Sequence, residues 1–201
     1  HLSLRRQRQM CIRDSFPDIS QGVFHLLVTG GSQGARVMSD IVPDALAALS
    51  ADLRQRLNVV QQAREEDLSR VKEIYARAGI MSEVSPFFND LPARIANAHF
   101  VISRAGASTV SELAVIGRPA MLVPLPHALD QDQAANAAFL TQAGAAETVR
   151  QNDFTQTFLT QRLAELIEKP DSLIQRAHAA REVGVADAAE RLAELVIGLA
   201  I

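Results

Sequence analysis

A glycine-rich segment, residues 28–36 (VTGGSQGAR), has residue types that suit ligand chemistry. Glycines let a backbone approach a ligand closely, and free amides at the start of a helix attract an anion. A tight strand-to-helix turn with Ser32 as the helix cap explains the same residues equally well. The spacing of Gly30, Gly31 and Gly34 differs from the dinucleotide fingerprint G-x-G-x-x-G, and no lysine follows as it would in a Walker loop.

A second segment, residues 103–112 (SRAGASTVSE), again joins a predicted strand to a predicted helix. The amides and hydroxyls of Ser108 and Thr109 could hold a phosphate. Glu112 follows one helical turn later, where its carboxylate could accept both hydroxyls of a ribose. The alternative is a capping box, Thr109-x-x-Glu112, which satisfies helix amides without any ligand. Taken alone, this segment favours the capping box.

A third segment, residues 123–136 (VPLPHALDQDQAAN), opens another helix after two prolines that stop a strand. Asp130 is a natural N-cap. The pair Asp130-x-Asp132 is similar to a metal motif of another sugar-transfer architecture, but acidic pairs are common at helix starts, so we expect a cap and no metal. His127 could titrate near neutral pH or only donate a hydrogen bond, and both uses stay open.

The elements that position these segments form an alternating pattern from residue 23 onwards, typical of an α/β domain with a parallel sheet. Loops that follow parallel strands meet at one edge of such a sheet, where open α/β proteins bind ligands. The predicted strands are Val23–Thr29, Leu57–Gln61, Glu83–Phe87, Phe100–Ser103, Ala120–Val123 and Ala145–Val149, and the predicted helices fall near 35–49, 64–78, 89–97, 107–116 and 131–142.

Three parts of the chain are predicted. Residues 1–15 carry four of the 20 lysine and arginine residues without a periodicity that leads into the rest, so we regard them as an appended segment, either disordered or artefactual. Residues 16–168 form the α/β domain. Helices fill residues 169–201, after a break at Lys169-Pro170.

Composition excludes several classes of protein. The chain has 201 residues, 48% of them hydrophobic, and a net charge of -3, as expected for a globular domain that binds no nucleic acid. Cys11 is the only cysteine, which excludes an internal disulfide and a cysteine-based zinc site. No apolar run is long enough to span a bilayer, so we expect a cytoplasmic protein.

Together, the three segments and the later QAGAAETV (residues 142–149) resemble the carboxy-terminal half of the MurG family, the UDP-N-acetylglucosamine transferases of peptidoglycan synthesis. The resemblance covers about residues 23–200. It implies a Rossmann-like parallel sheet with helices on both faces, the carboxy-terminal domain of a glycosyltransferase-B fold. It also implies inverting transfer of N-acetylglucosamine from UDP-N-acetylglucosamine to the C4 hydroxyl of N-acetylmuramic acid in lipid I, forming lipid II, without a cofactor.

The resemblance also implies roles for individual residues. Backbone of Phe88, in the loop 86–91, would bind uracil, although core packing is an alternative for Phe87 and Phe88. Glu112 would hold the ribose. The diphosphate would face backbone around Ala107, Ser108 and Thr109, with Ser32 of the first segment. Asp132 and Gln133 would meet the sugar hydroxyls. The full predicted substrate-binding set is Ser32, Gly34, Phe88, Arg104, Ala107, Ser108, Thr109, Glu112, His127, Asp132, Gln133 and Asn136.

The chain departs from the family pattern in two ways. Residues 61–64 are Gln-Gln-Ala-Arg where family members often carry His-Gln-x-Gly, which makes a contribution of that loop doubtful. We also expect the amino-terminal domain to be absent, and with it the acceptor loops, the catalytic base and the membrane-docking patch. Contact with lipid I and with the inner membrane would then need that domain, and the chain alone would bind donor without transferring sugar.

Two other functions fit the same segments. The chain could be a non-catalytic UDP-sugar-binding domain. It could also belong to another sugar-nucleotide enzyme of the same architecture, such as a UDP-N-acetylglucosamine epimerase. A purely structural explanation, with every segment a cap or a turn, predicts that no nucleotide binds.

Overall fold

A six-stranded, wholly parallel sheet forms the centre of the molecule, in the order β3-β2-β1-β4-β5-β6. The computed structural model describes residues 16–19, 22–31, 35–126 and 132–199. The strand order reverses between β1 and β4, which places a ligand crevice at the carboxyl ends of those strands. The strands are β1 (Phe24–Thr29), β2 (Leu57–Gln62), β3 (Met81–Ser85), β4 (Phe100–Ser103), β5 (Ala120–Leu122) and β6 (Ala146–Thr148).

Helices follow the strands on both faces of the sheet. A short 3-10 helix, Glu65–Asp67, precedes the third α-helix. The α-helices are α1 (Arg36–Ala47), α2 (Ala51–Gln55), α3 (Leu68–Ala78), α4 (Leu91–Asn97), α5 (Ala107–Ile116), α6 (Asp132–Gln142), α7 (Gln156–Glu168), α8 (Asp171–Val183) and α9 (Ala188–Leu199).

The predicted elements are confirmed in type and order, but most of their bounds differ by one or two residues, and one strand and two helices differ more clearly. Strand β3 begins two residues before the predicted Glu83, because it is an edge strand whose first three residues are exposed and do not form an apolar run. Residues 86–88 lie instead in the loop that follows. The predicted helix 35–49 ends at Ala47, a separate helix α2 follows it, and the predicted helix 64–78 starts with the 3-10 turn.

Two hydrophobic cores lie on opposite faces of the sheet. One packs α1, α3 and α7 against the sheet and contains Met38, Tyr75 and Leu163. The other packs α4, α5 and α6 and contains Ile95 and Leu113. Since both faces are covered, the central strands β1 and β4 are buried almost throughout, as parallel strands usually are.

The carboxy-terminal helices return to the sheet, one to each face. Helix α7 packs on α1, where the Thr160 hydroxyl donates to the carbonyl of Ala45 at 2.9 Å. Helix α8 packs on α5, and a Cβ on Gly184 would lie 2.6 Å from the Ala114 carbonyl oxygen. Helix α7 ends at Glu168, and the predicted domain boundary at that residue stays a prediction. Across the described residues, no helix combines the length and apolar character needed to cross a bilayer.

Candidate functional site

A cleft of about 820 Å³ lies at the carboxyl edge of the sheet, where the loops after β1, β2, β3, β4 and β5 meet. This is the edge at which the sequence places its three segments. The topology therefore brings together residues that are far apart in sequence. The polar residues that line the cleft are Thr29, Arg36, Gln62, Arg64, Arg104, Ser108, Thr109, Glu112, Gln133 and Gln151.

Helix α5 enters the cleft with its first amides exposed. Gly106 is in the N-cap position and no side chain caps the helix. Within the described part of the chain, the amides of Ala107, Ser108 and Thr109 have no hydrogen-bond partner, and the first helical bond runs from the Val110 amide to the Gly106 carbonyl. Such amides carry the positive end of the helix dipole, so this end of the cleft suits a phosphate.

The capping-box alternative for α5 is wrong. Because Gly106 is the N-cap, Thr109 is the third residue of the helix and Glu112 the sixth. Neither position allows the reciprocal side-chain bonds of a capping box. Helix α1 begins at Arg36 with Ala35 in the N-cap position, and the alternative cap by Ser32 lies outside the described residues.

Glu112 is half-buried on the rim of the cleft, one turn along α5 from Ser108. Burial raises the pKa of its carboxyl group above the ordinary glutamate value. Among the residues that the structure describes, none donates a hydrogen bond to Glu112 or forms an ion pair with it. A carboxylate that is partly desolvated and has no protein donor is suited to accept hydroxyl groups from a ligand.

The loop after β3 forms the opposite wall of the cleft. Phe88 is only 9% exposed and Phe87 is 62% exposed, so the predicted core packing holds for Phe88. The guanidinium carbon of Arg94 lies 4.1 Å from the centre of the Phe88 ring. Arg94 also pairs with Asp90 and Glu83, each at 2.7 Å. These contacts fix the loop, and its residues Phe87 and Phe88 line the cleft.

Arg104 lines the cleft, but its hydrogen bonds go to the protein. One terminal nitrogen donates to the carbonyls of Val123 and Pro124, each at 3.1 Å, and the other donates to Oε1 of Gln151 at 2.6 Å. Burial lowers the pKa of its guanidinium group. Arg104 therefore holds the loops after β5 and β6 in place.

The β5–α6 segment is only partly described. Gln133 lines the cleft, and its Oε1 accepts from the amide of Leu125 at 2.9 Å. Asn136 donates to the Ala105 carbonyl at 3.1 Å, and neither it nor the exposed Asp132 is part of the cleft lining. The predicted site residues Ser32, Gly34 and His127, and the predicted cap Asp130, lie outside the described residues.

Sequence reasoning missed three lining residues, Gln62, Arg64 and Gln151. The first two belong to the loop whose departure from the family pattern made a contribution doubtful. Their position directly after the carboxyl end of β2 was the signal that could have identified them, because that edge carries the cleft. Gln151 follows β6 in the same way.

The fold and the cleft define a Rossmann-like α/β domain with a cleft at the switch point of a doubly wound parallel sheet, where such folds bind ligands. The glycosyltransferase family 28 C-terminal domain matches residues 25–192. The chain therefore belongs to this family, and its fold is the carboxy-terminal domain of a glycosyltransferase-B fold.

Curated relatives share more than half of the matched residues with this chain. The UDP-N-acetylglucosamine--N-acetylmuramyl-(pentapeptide) pyrophosphoryl-undecaprenol N-acetylglucosamine transferase of Methylobacterium sp. (strain 4-46) is 60% identical over 188 residues, covering 92% of this chain and 50% of the relative. The protein of the same name from Rhodopseudomonas palustris (strain BisB18) is 56% identical, covering 90% and 48%. The chain thus spans about half the length of these relatives.

Solved structures agree with this assignment. Acinetobacter baumannii MurG superposes with a TM-score of 0.82 at 31% identity, over 92% of this chain and 55% of that one. A UDP-GlcNAc 2-epimerase from Neisseria meningitidis, solved with bound UDP-GlcNAc, superposes with a TM-score of 0.61 at 14% identity, over 98% and 51%. The second likeness concerns the fold alone.

Proposed function

We propose that the chain is the donor-binding half of an inverting glycosyltransferase that moves N-acetylglucosamine from UDP-N-acetylglucosamine to the C4 hydroxyl of N-acetylmuramic acid in lipid I. One observation carries the proposal. Three amides at the start of α5 and the carboxylate of Glu112, none of which has a partner among the described residues, lie within about one helical turn of each other on the same cleft. A phosphate acceptor site next to a diol acceptor site matches the diphosphate and ribose of a nucleotide sugar.

The nucleotide sugar would lie across the cleft. Its diphosphate faces the amides of residues 107–109, and its ribose hydroxyls donate to Glu112. Uracil then reaches the loop after β3, where backbone beside the buried Phe88 ring meets the base edge. Gln133 lies on the side where the sugar extends. Asp132, Asn136, Ser32, Gly34 and His127 stay predictions for the sugar and phosphate contacts.

The chemistry that these residues supply is stabilisation of the leaving group. When the anomeric carbon is attacked, the bond to the diphosphate oxygen breaks and negative charge builds up on UDP. The fixed amides of α5 stabilise that charge without moving, as preorganised dipoles do. A general base for the acceptor hydroxyl is also required, and we assign none to the described residues of this chain.

The relatives support this choice over the other functions. Their printed name specifies N-acetylglucosamine transfer to a pyrophosphoryl-undecaprenol acceptor, and their sequences match this chain at 55–60% identity. Under the proposal, the complete enzyme takes lipid I through an amino-terminal domain and works at the cytoplasmic face of the inner membrane. The epimerase alternative rests on the fold alone.

Calorimetric titration of the chain with UDP-N-acetylglucosamine, UDP and N-acetylglucosamine 1-phosphate tests the proposal. We expect both uridine nucleotides to bind and the sugar phosphate to bind far more weakly, because it lacks the ribose and the base. A chain that binds none of them contradicts the proposal. Conversion of UDP-N-acetylglucosamine to UDP-N-acetylmannosamine would support the epimerase instead. Adding a lipid I analogue and assaying for the disaccharide product tests the transfer step.

A further inference from the structure

We propose that Gln62 is a positioning residue that sets the spacing between two loops. One is the glycine loop, which follows β1 and starts at Gly30. The other is the base-facing loop, residues 86–91 after β3. The inference rests on the proposed function, since it concerns how one nucleotide reaches both loops. Gln62 lies at the end of β2, is 6% exposed and lines the cleft. Its amide is hydrogen-bonded at both ends, to a different loop at each.

The two ends of the Gln62 amide bind two different loops on the same side of the cleft, those after β1 and β3, the strands that flank β2. Oε1 accepts from the hydroxyl of Thr29 at 2.9 Å and from the amide of Gly30 at 3.2 Å. Nε2 donates to the carbonyl of Pro86 at 3.1 Å. One planar group therefore joins the loop proposed to approach the phosphates to the loop proposed to hold uracil.

The orientation of this amide is determined by its partners. A rotated amide would place its NH₂ group against the N–H of Gly30 and its oxygen against the carbonyl of Pro86, with two donors and two acceptors in conflict. The Thr29 hydroxyl, which donates to Gln62, also lies 3.4 Å from the Gly31 amide as its acceptor. We call these hydrogen bonds around Gln62 the bridge; through Thr29 it reaches Gly31, the second residue of the glycine loop.

The strand register places the bridge in a polar row across the sheet edge. Gln62 pairs with Ser85 on β3, and Thr29 pairs with Ser103 on β4. The Ser85 hydroxyl donates to the carbonyl of Phe87 at 2.9 Å, which holds the other end of the base-facing loop. Because the row belongs to the ends of strands, the spacing between the two loops is tied to the rigid sheet.

A ligand that contacts both loops benefits from this spacing more than a ligand that contacts one. UDP has its base and its diphosphate joined covalently, so both halves bind fully only when the loops are the right distance apart. Uridine and pyrophosphate each need one half of the cleft. Loss of Gln62 should therefore lower the affinity for UDP more than the affinity for either fragment.

The test compares Gln62→Met with a matched control, Gln61→Met. Gln61 is the preceding residue of β2 and is fully buried, and its amide binds the Tyr75 hydroxyl and the Met38 carbonyl in the core. Dissociation constants for UDP, uridine and pyrophosphate are measured by NMR titration and corrected for the folded fraction. We expect Gln62→Met to weaken the binding of UDP at least tenfold and the binding of each fragment less than threefold. Gln61→Met should leave all three affinities unchanged.

Unchanged UDP affinity in Gln62→Met would overturn the inference, and so would equal losses for UDP and for one fragment. If wild type binds UDP and Gln62→Met binds it equally well, only this inference fails; if wild type binds no UDP, the proposed function fails with it.

Should Gln62→Met not fold, the variant Thr29→Val tests the inference instead. It removes the hydroxyl of the bridge and should weaken UDP three- to tenfold, Thr29→Ser should restore binding, and no change in Thr29→Val would overturn the inference.

Discussion

The two sides of the cleft use their polar groups in different ways. On the glycine-loop side, made by the ends of β1, β2 and β3, the polar groups bind one another: Gln62 joins Thr29 and Gly30 to Pro86. On the α5 side, the first three amides of the helix and the carboxylate of Glu112 have no partner among the described residues. The polar groups of the glycine-loop side are thus hydrogen-bonded within the protein, whereas those of the α5 side are available to a ligand.

This difference separates stability from binding. A buried donor or acceptor that loses its partner costs free energy of folding, whereas a group that has no partner in the free protein costs little when it is removed. Substitutions on the glycine-loop side should therefore lower stability as well as affinity. Those on the α5 side should lower affinity and leave stability nearly unchanged.

The largest expected effect is on the stability of Gln62→Met. The substitution leaves the Thr29 hydroxyl, the Gly30 amide and the Pro86 carbonyl without their partner, so we expect the free energy of unfolding to fall by about 2–3 kcal/mol. Glu112→Ala should change it by less than about 0.5 kcal/mol. Urea denaturation of both variants measures the difference. Equal losses of stability would remove the distinction between the two sides.

Ala107→Pro should weaken UDP binding about tenfold without loss of stability. Proline is tolerated in the first position of a helix, and the extended backbone of Gly106 suits a residue that precedes proline. The substitution removes one amide that faces the proposed phosphate site, and a hydrogen bond to a charged group contributes about 1.5–3 kcal/mol. Ala107→Ser, which keeps the amide, is the control for binding. Undiminished affinity in Ala107→Pro would show that this amide does not contact the ligand.

The affinity for UDP-N-acetylglucosamine should fall several-fold as the pH is lowered through the pKa of Glu112. The ionised carboxylate is the form that accepts two hydroxyls, and burial raises this pKa, so the loss begins at a higher pH than for an ordinary glutamate. The phosphodiester groups of this ligand keep their charge over the same range. Calorimetric titrations from about pH 7.5 to 4.5, compared with Glu112→Gln, measure the effect. A Glu112→Gln variant with the same pH profile would assign it to another group.

The smallest expected effect is that of Arg94→Ala, about two- to threefold on UDP affinity. Arg94 lies over the Phe88 ring and pairs with Asp90 and Glu83, but these carboxylates are exposed, and exposed pairs stabilise proteins by less than about 1 kcal/mol. Arg94→Lys keeps the charge and should lose less. Loss of binding as large as in Ala107→Pro would place Arg94 in direct contact with the ligand.

The sequence predicted the α5 side better than the glycine-loop side. Ser108, Thr109 and Glu112 lie in one short segment, so their common position on the cleft follows from helical spacing. The bridge at Gln62 joins loops that are 32 and 24 residues away, and no local pattern indicates such contacts. Local spacing was also insufficient to distinguish a capping box from an uncapped helix at Thr109, because that choice depends on where the helix begins.

The parallel sheet was predictable because buried strands such as β4 are short apolar runs between helical segments. The edge strand β3 was misplaced, since its first three residues are exposed and do not form the apolar run that marks a buried strand. For Arg104, the sequence indicated a position on the cleft but not that its guanidinium binds Val123, Pro124 and Gln151. Those partners lie in the loops after two other strands, β5 and β6, which the local sequence around Arg104 does not indicate.

The central claim is that Glu112 accepts the ribose hydroxyls of a nucleotide whose phosphates lie at the start of α5. Measuring the affinities of UDP and 2′,3′-dideoxy-UDP for wild type and for Glu112→Ala tests it most directly. Glu112→Ala should weaken UDP at least about tenfold, as expected for lost charged hydrogen bonds. The dideoxy ligand should bind wild type weakly, and its affinity should hardly change in Glu112→Ala. Equal losses for both ligands would contradict the claim, because Glu112 would then act through the helix and not through the ribose.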